Sequence, residues 1–179
     1  TGASSATGTF MGKTVATTIG IGAGAAGSST LDLSEAFLDK IDNFTTVLIG
    51  DAAQSGVITL DDNGAFDLAN TGLTINAAGT NGSFVQTSDT SLTLSGSAKA
   101  LAINGDGDGT NGTTFAADVI TNGGTITIDD KITLGGAVTI DSTNSGGTAA
   151  GANVAINSTS GGATIDGAQN LTIKSGSAG

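Results

Sequence analysis

The chain contains no cysteine, histidine or arginine, and proline, tryptophan and tyrosine are missing as well. Without cysteine it forms no disulfide and offers no thiolate ligand to a metal. Histidine and cysteine are also the side chains that most often transfer protons or attack as nucleophiles near neutral pH. The missing residue types therefore argue against most kinds of active site.

Carboxylates are the remaining candidates for acid–base chemistry. They lie close together in sequence at three places, Asp61 with Asp62, Asp129 with Asp130, and Asp106 with Asp108. A glycosidase needs two carboxyl groups on either side of one bond, whereas adjacent residues of a strand point to opposite faces. No arginine or histidine can orient an acidic sugar. We therefore predict no enzyme, no catalytic residue and no cofactor apart from the calcium considered below.

Positive charge is scarce, because five lysines stand against 16 acidic residues and the net charge is −11. Nucleic-acid binding requires cations that displace the counterions of phosphates, so we expect no nucleic-acid partner. No apolar run approaches the roughly 18 residues of a membrane helix, so we expect no membrane span. Neither end shows a recognisable boundary, and we expect the chain to continue both upstream and downstream.

Glycine and small or β-branched residues dominate the composition. There are 30 glycines, and 37% of the residues are hydrophobic, which is too apolar for a disordered chain. Residues 1–30 are rich in Gly, Ala, Ser and Thr, and Val15, Ile19 and Ile21 predict a strand within Thr14–Ile21. We expect this segment to precede a single β structure that occupies residues 31–179.

One short stretch, residues 34–44, has helical periodicity. The apolar residues of its one face are Phe37, Leu38, Ile41 and Phe44. Either Ser34, or Asp32 with Glu35 as its reciprocal partner, can cap the first turn. We predict a short α-helix near residues 34–44 that covers one end or flank of the core, with a docking helix for a partner as the alternative.

A three-residue pattern recurs after Thr45, in which two apolar residues flank a threonine. It occurs at Ile58–Leu60, Leu73–Ile75, Leu92–Leu94, Ile126–Ile128, Ile132–Leu134, Val138–Ile140 and Leu171–Ile173. This alternation places aliphatic side chains on one face of a strand and threonine on the other. The segments between the patterns are rich in Asn, Asp and Gly, which indicates turns.

The segment TITIDDKITLGGAVTIDS, residues 125–142, bears on how these strands are connected. Gly135-Gly136 is a good hairpin signal and favours an antiparallel meander. However, the apolar residues keep one parity through both bends, at Asp130 and Gly136, as expected for a chain that turns the same way each time. Short strands and few aromatics also suit a coil that stacks on itself. We predict an all-β fold, a parallel β-helix (β-solenoid), with about 20 residues per coil, on the order of eight coils and a length of about 40 Å.

The segment Ser29–Leu60 resembles a repeating segment of very large secreted bacterial proteins, the filamentous-haemagglutinin-like adhesins. The similar features are Leu31-Asp32-Leu33-Ser34, the amphipathic helix, Phe44, Ile49-Gly50 and the turn at Gly56 that leads into Ile58 and Leu60. The coils from Leu73 to Ile173 are similar to the β-helical stalks of those proteins. The resemblance implies a right-handed parallel β-helix that is extracellular or on the cell surface, with an adhesive or structural role.

The best ligand-like pattern is NGDGDGTNGTTFAAD, residues 104–118. Asp106 and Asp108 alternate with glycine, as at the start of a calcium loop. Thr110 and Asn111 then replace the usual third ligand and glycine, and Ala117 stands where a bidentate glutamate would be. Asp106 and Asp108 are therefore calcium candidates, with an exposed turn as the alternative.

These patterns together predict a rigid structural or adhesive β-solenoid of a large secreted or cell-surface bacterial protein, which displays an acidic turn surface. The expected partners are neighbouring β-helix segments of the same or identical chains, and surface glycans or other cells. The alternatives are a calcium- or carbohydrate-binding extracellular module, and a subunit of a self-assembling extracellular filament or surface layer.

Overall fold

The computed structural model describes residues 6–41, 44–106, 111–157 and 164–177. Its strands form three sheets, and consecutive strands of the chain fall mostly in different sheets. The pairings between named strands are parallel throughout. The chain therefore winds from sheet to sheet and stacks each coil on the one before, which confirms the prediction of an all-β parallel β-helix.

The strands of each sheet follow the axis of the coil in order. Sheet A contains β1 (Thr7–Phe10), β4 (Thr46–Asp51), β7 (Gly72–Ala77), β10 (Leu101–Asn104), β13 (Ile126–Asp129) and β16 (Val154–Asn157). Sheet B contains β3 (Leu31–Leu33), β2 (Ile19–Ile21), β5 (Val57–Leu60), β8 (Ser83–Gln86), β11 (Thr113–Phe115), β14 (Ile132–Leu134) and β17 (Ile165–Asp166). Sheet C contains β6 (Ala65–Asp67), β9 (Ser91–Ser97), β12 (Val119–Asn122), β15 (Val138–Asp141) and β18 (Leu171–Lys174).

Residues 125–142 form one coil rather than a pair of hairpins. Strand β13 lies in sheet A, β14 in sheet B and β15 in sheet C, with bends at Asp130 and at Gly135-Gly136. The even-numbered aliphatic residues of these strands are all buried. The constant parity of the apolar positions was therefore a correct indication of a chain that keeps bending in one direction.

Most coils are longer than predicted, and there are fewer of them. In sheet A, Ile75 pairs with Ile103 and Ile103 pairs with Ile128, and each pair marks one full coil of the chain. The coil that runs from Thr113 to its register partner Ile132 is clearly shorter. The predicted coil length matches this tight coil and not the others, whose corners carry longer turns. Sheet A is six strands deep, which corresponds to about 25 Å, and not the predicted length of about 40 Å, at the usual strand spacing.

The core is a set of aliphatic columns that run along the axis. Val47, Leu73, Leu101 and Ile126 lie in register in sheet A, and all of them are buried. Phenylalanines fill the wider parts of the interior, where the rings of Phe84 and Phe115 meet edge to face with centroids 6.3 Å apart. Burial of each such side chain contributes about 1.5–3 kcal/mol, so each coil is stabilised by its contacts with both neighbours.

Helix α1 (Glu35–Leu38) is shorter than the predicted helix. Ser34 is its N-cap and accepts a hydrogen bond from the backbone N–H of Phe37, which settles the choice between the two caps. Leu38 is buried, but Phe37 is 45% exposed, so its predicted place on the buried face is wrong. The Phe37 ring instead meets the Phe10 ring edge to face. Residues 42–43 of the predicted helix lie outside the described residues.

The segment 1–30 contributes two strands to the coil. Strand β1 pairs with β4 in sheet A, and β2 pairs with β5 in sheet B. The predicted strand Thr14–Ile21 is reduced to Ile19–Ile21, because Thr14–Thr17 forms a turn closed by the Thr17 N–H and the Thr14 carbonyl. Val15 in this turn is half exposed. Pairing with later strands, rather than local hydrophobicity, therefore decides which residues become strands here.

Candidate functional surface

Several of the described aspartates are acceptors that join neighbouring coils. Four of them accept a backbone N–H from the coil above or below: Asp62 from Ala23 at 2.6 Å, Asp67 from Ser95 at 3.0 Å, Asp118 from Thr139 at 2.7 Å and Asp106 from Asn81 at 3.2 Å. Charged acceptors make the stronger class of backbone hydrogen bond. The excess of aspartate over glutamate therefore serves the corners of the coil, as expected for a turn-forming residue.

Asp106 lies at the corner between sheets A and B, in a row of polar turns. Its carboxylate accepts the Asn81 N–H, and the side-chain amide of Asn111 donates to the Asn81 side-chain oxygen at 3.2 Å. Asp108 lies outside the described residues, so the two calcium candidates are not brought together by the described part of the chain. Among the residues that are described, no three acidic side chains converge as metal ligands. Calcium binding here remains a prediction.

Asp130 is the bend residue that the sequence placed at a corner, and it is completely buried. Its carboxylate accepts hydrogen bonds from the Thr113 hydroxyl and from the Lys131 N–H, both at 2.8 Å. Burial raises the pKa of this carboxyl, and the two hydrogen bonds oppose the rise. A methyl group on Gly105 would collide with the same carboxylate, so glycine is needed at that point.

The two carboxylates of each adjacent pair lie in different surroundings. Asp130 points into the interior, whereas Asp129 lies partly exposed on the outer face of sheet A. The Asp62 carboxylate accepts a hydrogen bond from the Ala23 N–H. The neighbouring Asp61 carboxylate lies so close to Gly24 that a methyl group on this glycine would collide with it. These carboxyl groups close corners of the coil, and the prediction that the protein is not an enzyme stays a prediction.

A shallow open groove lies beside the corner between sheets A and B. Its lining is Val15, Ala52, Ala53, Ser55, Ala78, Gly79 and Thr80. Ligand pockets usually combine an enclosed apolar surface with a few converging polar groups. This groove has small side chains and no charged or aromatic one, so it offers little for orienting a ligand.

Strand β3 and helix α1 lie at the N-terminal end of the described coil, and their residues Leu33 and Leu38 are both buried. Strands β1, β3 and β6 are the outermost described strands of their sheets at this end. The edge strand of sheet C, β6, has its Asp67 N–H bonded to the Glu35 carboxylate at 2.7 Å. Glu35 is partly buried, and this burial raises the pKa of its carboxyl. Sequence analysis proposed Glu35 only for a helix cap and missed this contact, because no local pattern reveals a partner so far along the chain.

Strands β16, β17 and β18 are the outermost described strands of sheets A, B and C at the C-terminal end. Within the described residues each pairs on one side only, as β1, β3 and β6 do at the N-terminal end. Ile165 and Ile173 are 45% and 49% exposed, whereas their register partners in the preceding coil, Ile132 and Ile140, are at 0%. The interior columns therefore reach the surface at this end.

The acidic character is unevenly distributed along the axis. Residues 1–141 hold 15 acidic residues and four lysines, whereas residues 142–179 hold only Asp166 and Lys174. The last coil is consequently neutral in an otherwise strongly acidic molecule. Lys174 lies 3.8 Å from the carboxylate of Asp141, its register partner.

None of the helices in the described ranges is long or apolar enough to cross a membrane. Comparisons of the chain with protein-family models, with curated proteins and with solved structures give no match.

Proposed function

We propose that this chain is a rigid structural segment of a large secreted or cell-surface bacterial protein, a β-solenoid that sets a distance and presents an acidic turn surface. The observation that carries the proposal is the unbroken register of sheet A, in which strands β4, β7, β10 and β13 are each paired on both sides. A fold of this kind resists bending because every inner strand is held on two edges.

The energetics of one coil support a mechanical role. To leave the stack, a coil such as the one at residues 125–142 must break its hydrogen bonds to both neighbours and expose its buried aliphatic side chains at the same time. Each lost hydrogen bond costs about 1 kcal/mol net, and each exposed aliphatic side chain costs about 1.5–3 kcal/mol. Because one coil loses its hydrogen bonds and its apolar contacts at the same time, we expect the coils to unfold one at a time under load.

The surface supports display rather than catalysis. Acidic residues lie both at the corners and in the strands, and the outer faces of the strands carry mainly threonine, with serine, asparagine and aspartate. The segment Ser29–Leu60, which resembles part of the filamentous-haemagglutinin-like adhesins, contains β3, α1, β4 and β5 at the N-terminal end of the coil. The proposed partners are other β-helix segments and the glycans or surfaces of other cells.

Single-molecule pulling tests the mechanical proposal. The chain is held between flexible handles at its two ends and extended. We expect discrete events that each release one coil, such as the stretch from Ile103 to its register partner Ile128, or about 80–90 Å of extended chain. The control variant Ile103→Asp, which places a charge in a buried column, should unfold at a clearly lower force. Smooth extension of the parent chain at low load would contradict the proposal.

Surface labelling tests the proposed location. Antibodies raised against the folded chain are applied to intact cells of the source organism and to permeabilised cells. We expect equal labelling of both, and removal of the label when intact cells are treated with protease. Labelling that requires permeabilisation would contradict a secreted or surface location.

A further inference from the structure

We infer that Asn63-Gly64, at the corner between β5 and β6, is a site of spontaneous modification, at which the asparagine deamidates to aspartate and isoaspartate. The dipeptide Asn-Gly occurs five times in the chain, at residues 63–64, 81–82, 104–105, 111–112 and 122–123. The five copies share one local chemistry, but the fold exposes the first of them and engages the other four. The inference holds whether or not the molecule serves as a mechanical spacer.

The reaction needs only the asparagine, the backbone nitrogen that follows it, and water. The Gly64 nitrogen gives its proton to a solvent base and attacks Cγ of the Asn63 side chain. A bond from this nitrogen to Cγ forms, the bond from Cγ to Nδ2 breaks, and Nδ2 takes up a proton and leaves as ammonia. Water then opens the resulting succinimide ring at either of its carbonyls, which leaves an aspartate or an isoaspartate. Glycine favours the attack, because it has no side chain to obstruct the ring.

The reacting groups of Asn63 and Gly64 are accessible in the structure. Asn63 is exposed, and a methyl group on Gly64 would meet no atom within 4 Å. Within the described ranges, the Gly64 N–H is engaged in no hydrogen bond. Both residues lie between strands, since β5 ends at Leu60 and β6 begins at Ala65. The Gly64 nitrogen can therefore approach Cγ of Asn63 without first losing a partner or breaking a sheet.

In three of the other copies, the glycine N–H already donates to a backbone carbonyl. These hydrogen bonds run from Gly82 to Gly79 at 2.7 Å, from Gly105 to Asp129 at 3.1 Å and from Gly123 to Ser142 at 3.0 Å. A bonded N–H becomes available only when the backbone opens locally, and the open state is a small fraction of the folded population. The hydrogen bonds should therefore slow the attack at Asn81, Asn104 and Asn122.

The copy at Asn111-Gly112 is restrained by its side chain and by its packing. The side-chain amide of Asn111 donates to the Asn81 side-chain oxygen at 3.2 Å. A methyl group on Gly112 would lie 2.5 Å from the carbonyl oxygen of Lys131, so this glycine packs against the next coil. We therefore expect deamidation at Asn111 to be slower than at Asn63 as well.

Deamidation adds a carboxylate to a corner that is already acidic. Asp61 and Asp62 precede Asn63, and the Asp62 carboxylate accepts the Ala23 N–H at 2.6 Å. Each event adds one negative charge to the net charge of −11, and isoaspartate also inserts a methylene group into the backbone of the corner. The corner between β5 and β6 should therefore become more acidic as the molecule ages.

Peptide mass spectrometry of the full chain, aged in mildly alkaline buffer, tests the inference. Fragmentation of the peptides assigns the conversion of amide to carboxylate to each asparagine separately. In the folded chain we expect Asn63 to convert about tenfold faster, or more, than Asn81, Asn104 and Asn122, because its glycine N–H needs no local opening. The same chain aged in denaturant is the matched control, and there all the Asn-Gly copies should convert at similar rates. Equal rates in the folded chain, or the same lead of Asn63 in denaturant, would overturn the inference.

The variant Gly64→Ala tests the attacking nitrogen without disturbing the corner. The added methyl group meets no neighbour, and Gly64 is not among the glycines with positive φ, so the variant should melt like the parent. The methyl group obstructs ring closure, and conversion of Asn63 should fall several-fold, while Asn104 and Asn122 convert at the parent rate. Conversion of Asn63 at an unchanged rate in this variant would also overturn the inference. The comparison of folded and denatured parent chain does not use the variant and stands without it.

Discussion

At the scale of single residues, aspartate has two roles that depend on its burial. At the outer corners it accepts N–H groups from neighbouring coils, as Asp118 does from Thr139. Asp130 instead lies inside the corner between β13 and β14 and takes its hydrogen bonds from Thr113 and Lys131. Asp118 and the other outer residues join neighbouring coils, whereas Asp130 fixes the bend and places a carboxyl group out of contact with water.

Substitutions at Asp130 should separate its hydrogen bonds from its charge. The folded state raises the pKa of Asp130 above its ordinary value of 3.8, so the folded chain binds this proton more tightly than the unfolded chain. Its contribution to stability is therefore greatest below pH 3.8 and is lost as the pH rises through the folded pKa. Asp130→Asn removes the charge, and its stability relative to the parent should increase with pH. Asp130→Ala should cost about 2 kcal/mol, because the buried Thr113 hydroxyl loses its acceptor.

Thermal unfolding of both Asp130 variants between acidic and neutral pH measures these effects. The control Asp89→Asn alters an exposed aspartate and should not show the trend. A constant difference between Asp130→Asn and the parent at every pH would contradict the role assigned to the buried charge.

The calcium candidates allow a second test at this scale. Asp106 already accepts the Asn81 N–H, and a structural turn predicts that the double variant Asp106→Ala, Asp108→Ala has a melting temperature within a few degrees of the parent. Calcium at about 1 mM, the weak extracellular range, should then shift neither protein. A calcium-dependent rise that the double variant abolishes would favour the binding module instead.

At the scale of elements, the strands with regular apolar alternation were predictable from the sequence. The strands and the helix at the N-terminal end were predicted less well. Ile126, Ile128, Ile132 and Leu134 are all buried as their parity indicated. The helix near residues 34–44 was predicted too long, because periodicity does not record that the chain must soon return to β4 in sheet A. Strand β1 was missed, since Thr7–Phe10 has little strand signal of its own and forms by pairing with β4. The features that could not be predicted from the sequence are contacts between residues far apart in the chain.

The two neighbouring apolar residues of α1 should respond very differently to truncation. Leu38 is buried under the first coil, and Leu38→Ala should cost about 2–4 kcal/mol, as for other buried leucines. Phe37 is 45% exposed and keeps mainly its ring contact with Phe10, so Phe37→Ala should cost about 1 kcal/mol or less. Denaturant unfolding compares the two variants. A similar cost for both would show that α1 does not cover the N-terminal end in the way described.

At the scale of the whole molecule, charge is unevenly distributed along the axis. Residues 1–141 hold 15 of the 16 acidic residues, and the overall charge of −11 keeps copies apart in most orientations. Net charge of this size favours solubility, and its effect depends on the salt concentration.

Salt should therefore weaken the repulsion between copies. Screening shortens the range of the repulsion between two acidic copies, from about 30 Å at 0.01 M salt to about 8 Å at 0.15 M. We expect the concentration dependence of the sedimentation coefficient, which reports this repulsion, to decrease over this range. A concentration dependence that does not change with salt would mean that the net charge is not what keeps copies apart.

The unequal corner lengths have a consequence for how such a molecule can change over generations. Between β15 and β16 the chain makes a long excursion, residues 142–153, whereas residues 130–131 alone join β13 to β14. Both corners return the strands to the same columns, so an insertion at a corner leaves the interior in register. Related chains can consequently differ in the length and composition of these surface loops while the scaffold beneath them stays the same.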